Sequence, residues 1–240
     1  MVLATINCRK YLSVIALTAL TFFSIAYCNA QSSWSVLTFG DHTAAEKFHI
    51  SLDVGLNIST LPGLSQQQPI YGLNLGLGAF FKLSSKWALT TELKPISSRG
   101  ASNVKSIYND VTIQNPTTDI VTNYIDIPLL VQYAISKRFN IATGPQISFL
   151  TSANQRTTGN LSSGQAIVVS ENIKSLMHKE GFMVPVQLGY SFSKTSSSSG
   201  VSLKIRYNIG IMEAFTTSLV ESKNSTFQFI VSVPFIRRAE

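Results

Sequence analysis

From Phe48 to Phe235 the chain alternates apolar residues with polar or tiny ones, segment after segment. In the first segment Phe48, Ile50, Leu52, Val54, Leu56 and Ile58 are apolar, while His49, Ser51, Asp53, Gly55 and Asn57 lie between them. A strict period of two predicts a strand with one apolar and one polar face. Seven more segments of this kind open at Tyr71, Trp87, Ile125, Phe139, Phe182, Val201 and Phe227. They close at Leu83, Leu93, Ile135, Phe149, Phe192, Ile209 and Phe235. Six of the eight are 9–11 residues long, with 13 from Tyr71 to Leu83 and 7 from Trp87 to Leu93, and a strand needs about 9–11 to cross a bilayer at a tilt.

The breaks between segments alternate in length. Residues 84–86, 136–138 and 193–200 are short turns, and residues 59–70, 96–123, 150–181 and 211–225 are long connections. Up-and-down membrane barrels show this alternation, with short periplasmic turns and longer external loops. Aromatic residues collect at the ends of the apolar face. Phe48, Phe81, Trp87, Tyr133, Phe139, Phe192 and Phe235 lie near the short turns, and Tyr71, Phe149, Phe182 and Phe227 at the opposite ends. Two such bands are the girdles expected at the two membrane interfaces. The predicted fold is all-β, an eight-stranded antiparallel up-and-down transmembrane β-barrel with its N-terminus in the periplasm.

Composition supports this. Of 240 residues, 45% are hydrophobic and only 13% charged, against about 25% charged in ordinary soluble domains. No stretch after residue 30 is long and apolar enough for a membrane helix. The first thirty residues fit a signal peptide, with Arg9 and Lys10, an apolar run over residues 11–26, and Cys28-Asn29-Ala30 before Gln31. An uncleaved anchor is the alternative; a lipidation signal is disfavoured by the bulky Tyr27 before Cys28. The expected organisation is a signal peptide over 1–30, a polar periplasmic lead over 31–47 and the barrel domain over 48–240. Removing the signal removes both cysteines and leaves 17 basic against 12 acidic residues, a net charge of +5. Disulfides and thiolate chemistry are thereby excluded. The basic residues form no stripe, so no nucleic-acid partner is expected.

A barrel of eight strands has an interior only wide enough to be filled by side chains. The polar face therefore points to a packed interior, in which Asp53, Glu92 and Asp126 meet Lys82, Lys94, Lys204 and Arg206. A wide aqueous channel is not expected.

One strand carries a more specific pattern, Tyr124-Ile125-Asp126-Ile127-Pro128-Leu129-Leu130. It follows Leu89 to Gly100 (Leu-Thr-Thr-Glu-Leu-Lys-Pro-Ile-Ser-Ser-Arg-Gly) and precedes Gly144-Pro145. This resembles the outer-membrane β-barrel family that includes the PorT-like proteins, with their Tyr-x-Asp/Glu-Ile-Pro-Leu-Leu strand. The resemblance implies an eight-stranded outer-membrane barrel, most members of which have no assigned activity. Its PorT branch is linked to a protein secretion pathway. The chain departs from the pattern at its end, where Ile236-Arg237-Arg238-Ala239-Glu240 stands in place of a terminal aromatic residue.

Other chemistry finds little in the sequence. A Ser–His–acid site needs a histidine held beside a nucleophile. His42, His49 and His178 fall in the lead, at the start of the first strand and in a long loop. No His/Asp/Glu cluster has metal-ligand spacing, and no cofactor is expected. Gly72, Gly76 and Gly78 lie on the inward face of a strand, where they relieve crowding and do not form a phosphate loop. The leading expectation is a non-enzymatic, monomeric barrel in outer-membrane lipid, serving structure, secretion or surface contact through its long loops. A small lipid-modifying barrel enzyme and a soluble lipocalin-like carrier are the alternatives.

Overall fold

The computed structural model describes residues 44–45, 48–64, 66–105, 113–161, 163–193, 200–216 and 222–235. The expected signal peptide, most of the polar lead, His42 and the C-terminal tail lie outside them. Eleven strands run in order: β1 (Ala44–Ala45), β2 (Phe48–Thr60), β3 (Ile70–Lys82), β4 (Trp87–Val104), β5 (Gln114–Ala134), β6 (Phe139–Thr143), β7 (Gln146–Asn160), β8 (Ala166–Asn172), β9 (Glu180–Ser191), β10 (Ser202–Glu213) and β11 (Lys223–Phe235). Each neighbour pair is antiparallel, and β11 pairs back onto β2 from Ser225↔Thr60 to Phe235↔Ile50. The ring therefore closes through eight staves, with β6 and β7 sharing one stave and β9 joining them to β10. Closure leaves the membrane-level strands without an edge, which lipid requires because it offers no hydrogen bonds.

The alternation has the expected consequence, and burial is inverted relative to a soluble protein. Leu56, Leu73, Leu77, Val186 and Leu188 point outward and are exposed, whereas Arg99, Arg206 and Lys94 are among the largest fully buried side chains. A lipocalin-like carrier would need the opposite, an apolar interior. At the short-turn end the aromatic band is built of touching rings. Phe48 lies 4.7 Å from Phe81, Trp87 4.8 Å from Tyr133 and Phe139 5.0 Å from Tyr190. At the other end Phe227 packs against Tyr207 and Phe229.

The long connections are shorter than the sequence suggests. Residues 96–123 were expected as a loop, yet β4 continues to Val104 and β5 begins at Gln114. Likewise β7 runs to Asn160, β8 returns alongside it, and a 3₁₀ turn (Lys174–Leu176) follows. The period fades there because the strands leave lipid, and nothing outside it demands an apolar outer face. Bulges mark the departure. Between Lys94 and Ser97, β4 spends one residue more than either neighbour: it pairs Leu93↔Leu77 and Ile96↔Leu75 on one side, Lys94↔Asp126 and Ser97↔Tyr124 on the other. Pro95 and Ile96 therefore both face outward, and Ser97 and Arg99 turn inward. A bulge of this kind re-aims every side chain beyond it.

Above the membrane-level lumen the inward residues become apolar. Ala101, Val104, Ile120, Leu150, Ala153, Ile173, Met177 and Phe215 form one buried cluster with Leu61, Tyr124 and Ala214. The segment between β8 and β9 lies across it, tied down where Ile173 N–H donates to Ala153 (3.0 Å), Leu150 N–H to Lys179 (2.7 Å) and His178 N–H to Ala214 (2.9 Å).

Candidate functional site: the polar lumen

Period-two strands bring five of the seven expected lumen residues into one knot. Asp53 comes from β2, Glu92 and Lys94 from β4, and Lys204 and Arg206 from β10. Arg206 holds Glu92 bidentately, with Nη1 at 2.8 Å and Nη2 at 2.6 Å from its two oxygens. Lys94 Nζ adds a contact at 2.8 Å and Lys204 Nζ one at 3.5 Å. Lys204 also pairs with Asp53 at 2.8 Å, whose other oxygen accepts from Ser51 (3.0 Å) and Ser232 (2.5 Å). Buried ions cost several kcal/mol each in desolvation, which only such multiple pairing offsets. Gly76 makes room for the knot, since a Cβ there would lie 2.6 Å from Lys94 Cγ.

Asp126 stands apart from this knot. It forms a short ion pair with Arg99, whose guanidinium also lies 4.8 Å over the Tyr124 ring and donates to Met183 Sδ at 3.1 Å. Arg99 escapes the sequence pattern because the bulge at Pro95 and Ile96 reverses its parity. Amides bridge the two centres. Lys94 donates to Gln228, Gln228 and Asn74 to Asn57, and Asn57 and Arg99 to Ser97, at 2.9–3.5 Å. Lys82 ends β3 opposite Ala88, inward in parity and partly buried near the short-turn mouth.

Two histidines are described. His49 is buried at the short-turn mouth, its ring stacked 4.6 Å from Phe80. His178 lines a cavity of about 10 Å³ near the hairpin end together with Ser148 and Glu180. No side-chain hydrogen bond joins these three among the described residues, and no group of three His, Cys, Asp or Glu there could hold a metal.

A family model described as outer membrane protein beta-barrel domain matches residues 29–216. The chain belongs to this family. It is accordingly an outer-membrane barrel, embedded in the lipid bilayer. Similar solved structures include Ail, the attachment invasion locus protein of Yersinia pestis, at 10% identity, covering 79% of this chain and 99% of that one with a TM-score of 0.43. Neisserial surface protein A follows at 13% identity, covering 78% and 97% with a TM-score of 0.40. OprG from Pseudomonas aeruginosa is 11% identical, covering 78% and 93% with a TM-score of 0.34. Among curated proteins nothing matches the chain.

Proposed function

We propose that this barrel is a plugged, non-enzymatic outer-membrane protein of the PorT-like kind, an accessory of protein secretion or surface contact that works through its long hairpins. The carrying observation is the interior, filled at membrane level by the ion-paired knot and overlain at the hairpin end by the apolar cluster. A lumen occupied in this way leaves the hairpin end as the working surface. The β4–β5 hairpin and the β7–β8 pair extend well past Phe149, which belongs to the outer aromatic band.

In this proposal residues 1–30 are removed on export, and the N-terminus and short turns face the periplasm. The hairpins then face outward, and the barrel is monomeric. Co-purification from solubilised outer membranes tests the role. A specific set of proteins is expected with the intact chain and is lost when residues 161–172, carrying the tip and β8, are replaced by a short Gly-Ser turn. An unchanged set would sink the hairpin role. Cysteine labelling on intact cells tests the orientation. Gly164→Cys should react with an impermeant maleimide, and Lys137→Cys should not.

A further inference from the structure

The geometry points to a binding site for one small monovalent anion, of chloride size, at the short-turn mouth of the lumen. A cavity of about 40 Å³ lies there, lined by His49, Gln132, Asn140, Thr90, Lys204 and Glu92 among others. A water needs about 10–15 Å³ of such space, so the cavity has room for a small ion together with one or two waters.

Charge supplies the first argument. The knot joins three cations, Lys94, Lys204 and Arg206, to two carboxylates, Asp53 and Glu92. The remaining lumen carboxylate of the described residues, Asp126, is already matched by Arg99. Within the knot itself, and among the described residues, one positive charge is left over where desolvation makes an unbalanced charge expensive. Lys204 is the member best placed to carry it outward. Its side chain keeps 15% exposure while Arg206 and Lys94 are sealed off, and it lines the cavity. Its ammonium has three N–H donors, of which two serve Asp53 and Glu92.

Unused polar groups supply the second argument. Among the described residues, His49 Nδ1 and Asn140 Oδ1 are buried without a hydrogen-bond partner, although both residues line the cavity. Neutral imidazole can carry its proton on Nδ1, and an amide can exchange its oxygen and nitrogen ends by rotation. Both residues can thus donate into the cavity, which the Gln132 amide also lines. Asn140 is pressed into this position over Gly189, where a Cβ would lie 2.4 Å from its Oδ1. Glu92 also borders the space, but both its oxygens are engaged by Arg206, Lys94 and Lys204.

Crystals of the full chain grown in sodium bromide test this by anomalous scattering. A bromide peak within hydrogen-bonding distance of Lys204 Nζ is expected. In detergent, the thermal unfolding midpoint should be higher in chloride or bromide than in gluconate at equal ionic strength, by roughly 2–4 °C. Lys204→Gln balances the knot at two charges of each sign and should abolish the halide dependence, with a lower midpoint in every salt because Asp53 loses its ion-pair partner among the described residues. Should that variant not fold, Asn140→Leu fills the cavity and is expected to abolish the same dependence. Water alone at the site, bromide bound only at outer lysines as an adventitious ion, or a midpoint indifferent to halide would each overturn the proposal.

Discussion

Glu92 is held by three cations at once, and the consequence of neutralising it follows from that count. In Glu92→Gln the bidentate Arg206 contact and the Lys94 pair both lose their charge complement. Asp53 is then left to face three buried cations. Removing one partner of a buried pair costs about 3–5 kcal/mol, chiefly because the survivor stays buried and uncompensated. The urea midpoint of the barrel in lipid vesicles should fall accordingly. Replacing Glu92 and Arg206 together with Leu and Met should cost less than Glu92→Gln alone, since it leaves Lys94, Lys204 and Asp53 with a smaller imbalance. Equal losses would mean that the residues matter as packing and not as charges. At the second centre the same reasoning makes Arg99→Ala costly, because Asp126 would be left buried with no ion-pair partner among the described residues.

At the scale of the strand, parity decides which of these residues can meet. Asp53, Glu92, Lys94, Lys204 and Arg206 are legible in the sequence because each sits in an unbroken alternating run. Asp126 is legible as an inward residue, but its partner is not, since alternation continued from Leu93 would aim Arg99 at lipid. The added residue at Pro95 and Ile96 is visible only in pairing to both neighbours. The apolar cluster at the hairpin end is hidden for a related reason. Ile120, Leu150, Ile173 and Phe215 come from stretches outside the strictly alternating segments. A pair of deletions tests the parity account. Removing Ile96 takes away the extra residue and with it the bulge, but keeps Ser97 and Arg99 inward, so the heat-modifiable band should persist with a modestly lower midpoint. Removing Ser98 instead turns Arg99 outward and strands Asp126, whatever the bulge between Ala101 and Val104 absorbs afterwards. A charge on the lipid face costs up to about 2–4 kcal/mol at mid-membrane and less toward the interface. That cost adds to the orphaned carboxylate, so the folded band should weaken sharply or vanish. Identical behaviour of the two deletions would refute the assignment of the bulge.

For the whole molecule, the knot and the apolar cluster lie in series along one axis, and in the plugged-barrel proposal each blocks the path by itself. An ion crossing the barrel would have to pass between Glu92 and Arg206, whose contacts are as short as 2.6 Å. It would then have to enter the cluster formed by Ile120, Ile173, Met177 and Phe215, where nothing replaces its hydration. Barriers in series are limited by the higher one, so opening either alone should change little. In planar bilayers the native barrel is expected to show no steady conductance. Replacing residues 173–177 with a Gly-Ser linker removes Ile173 and Met177 from the cluster but leaves the knot, and should also be silent. The double substitution Glu92→Ala with Arg206→Ala empties part of the knot below an intact cluster, and should be silent too. Combining the two should produce small channels. These should favour anions, because Lys94 and Lys204 then outnumber Asp53 in the opened space. Conductance from the linker variant alone would show that the knot is no barrier, and that the barrel is held shut from the hairpin end.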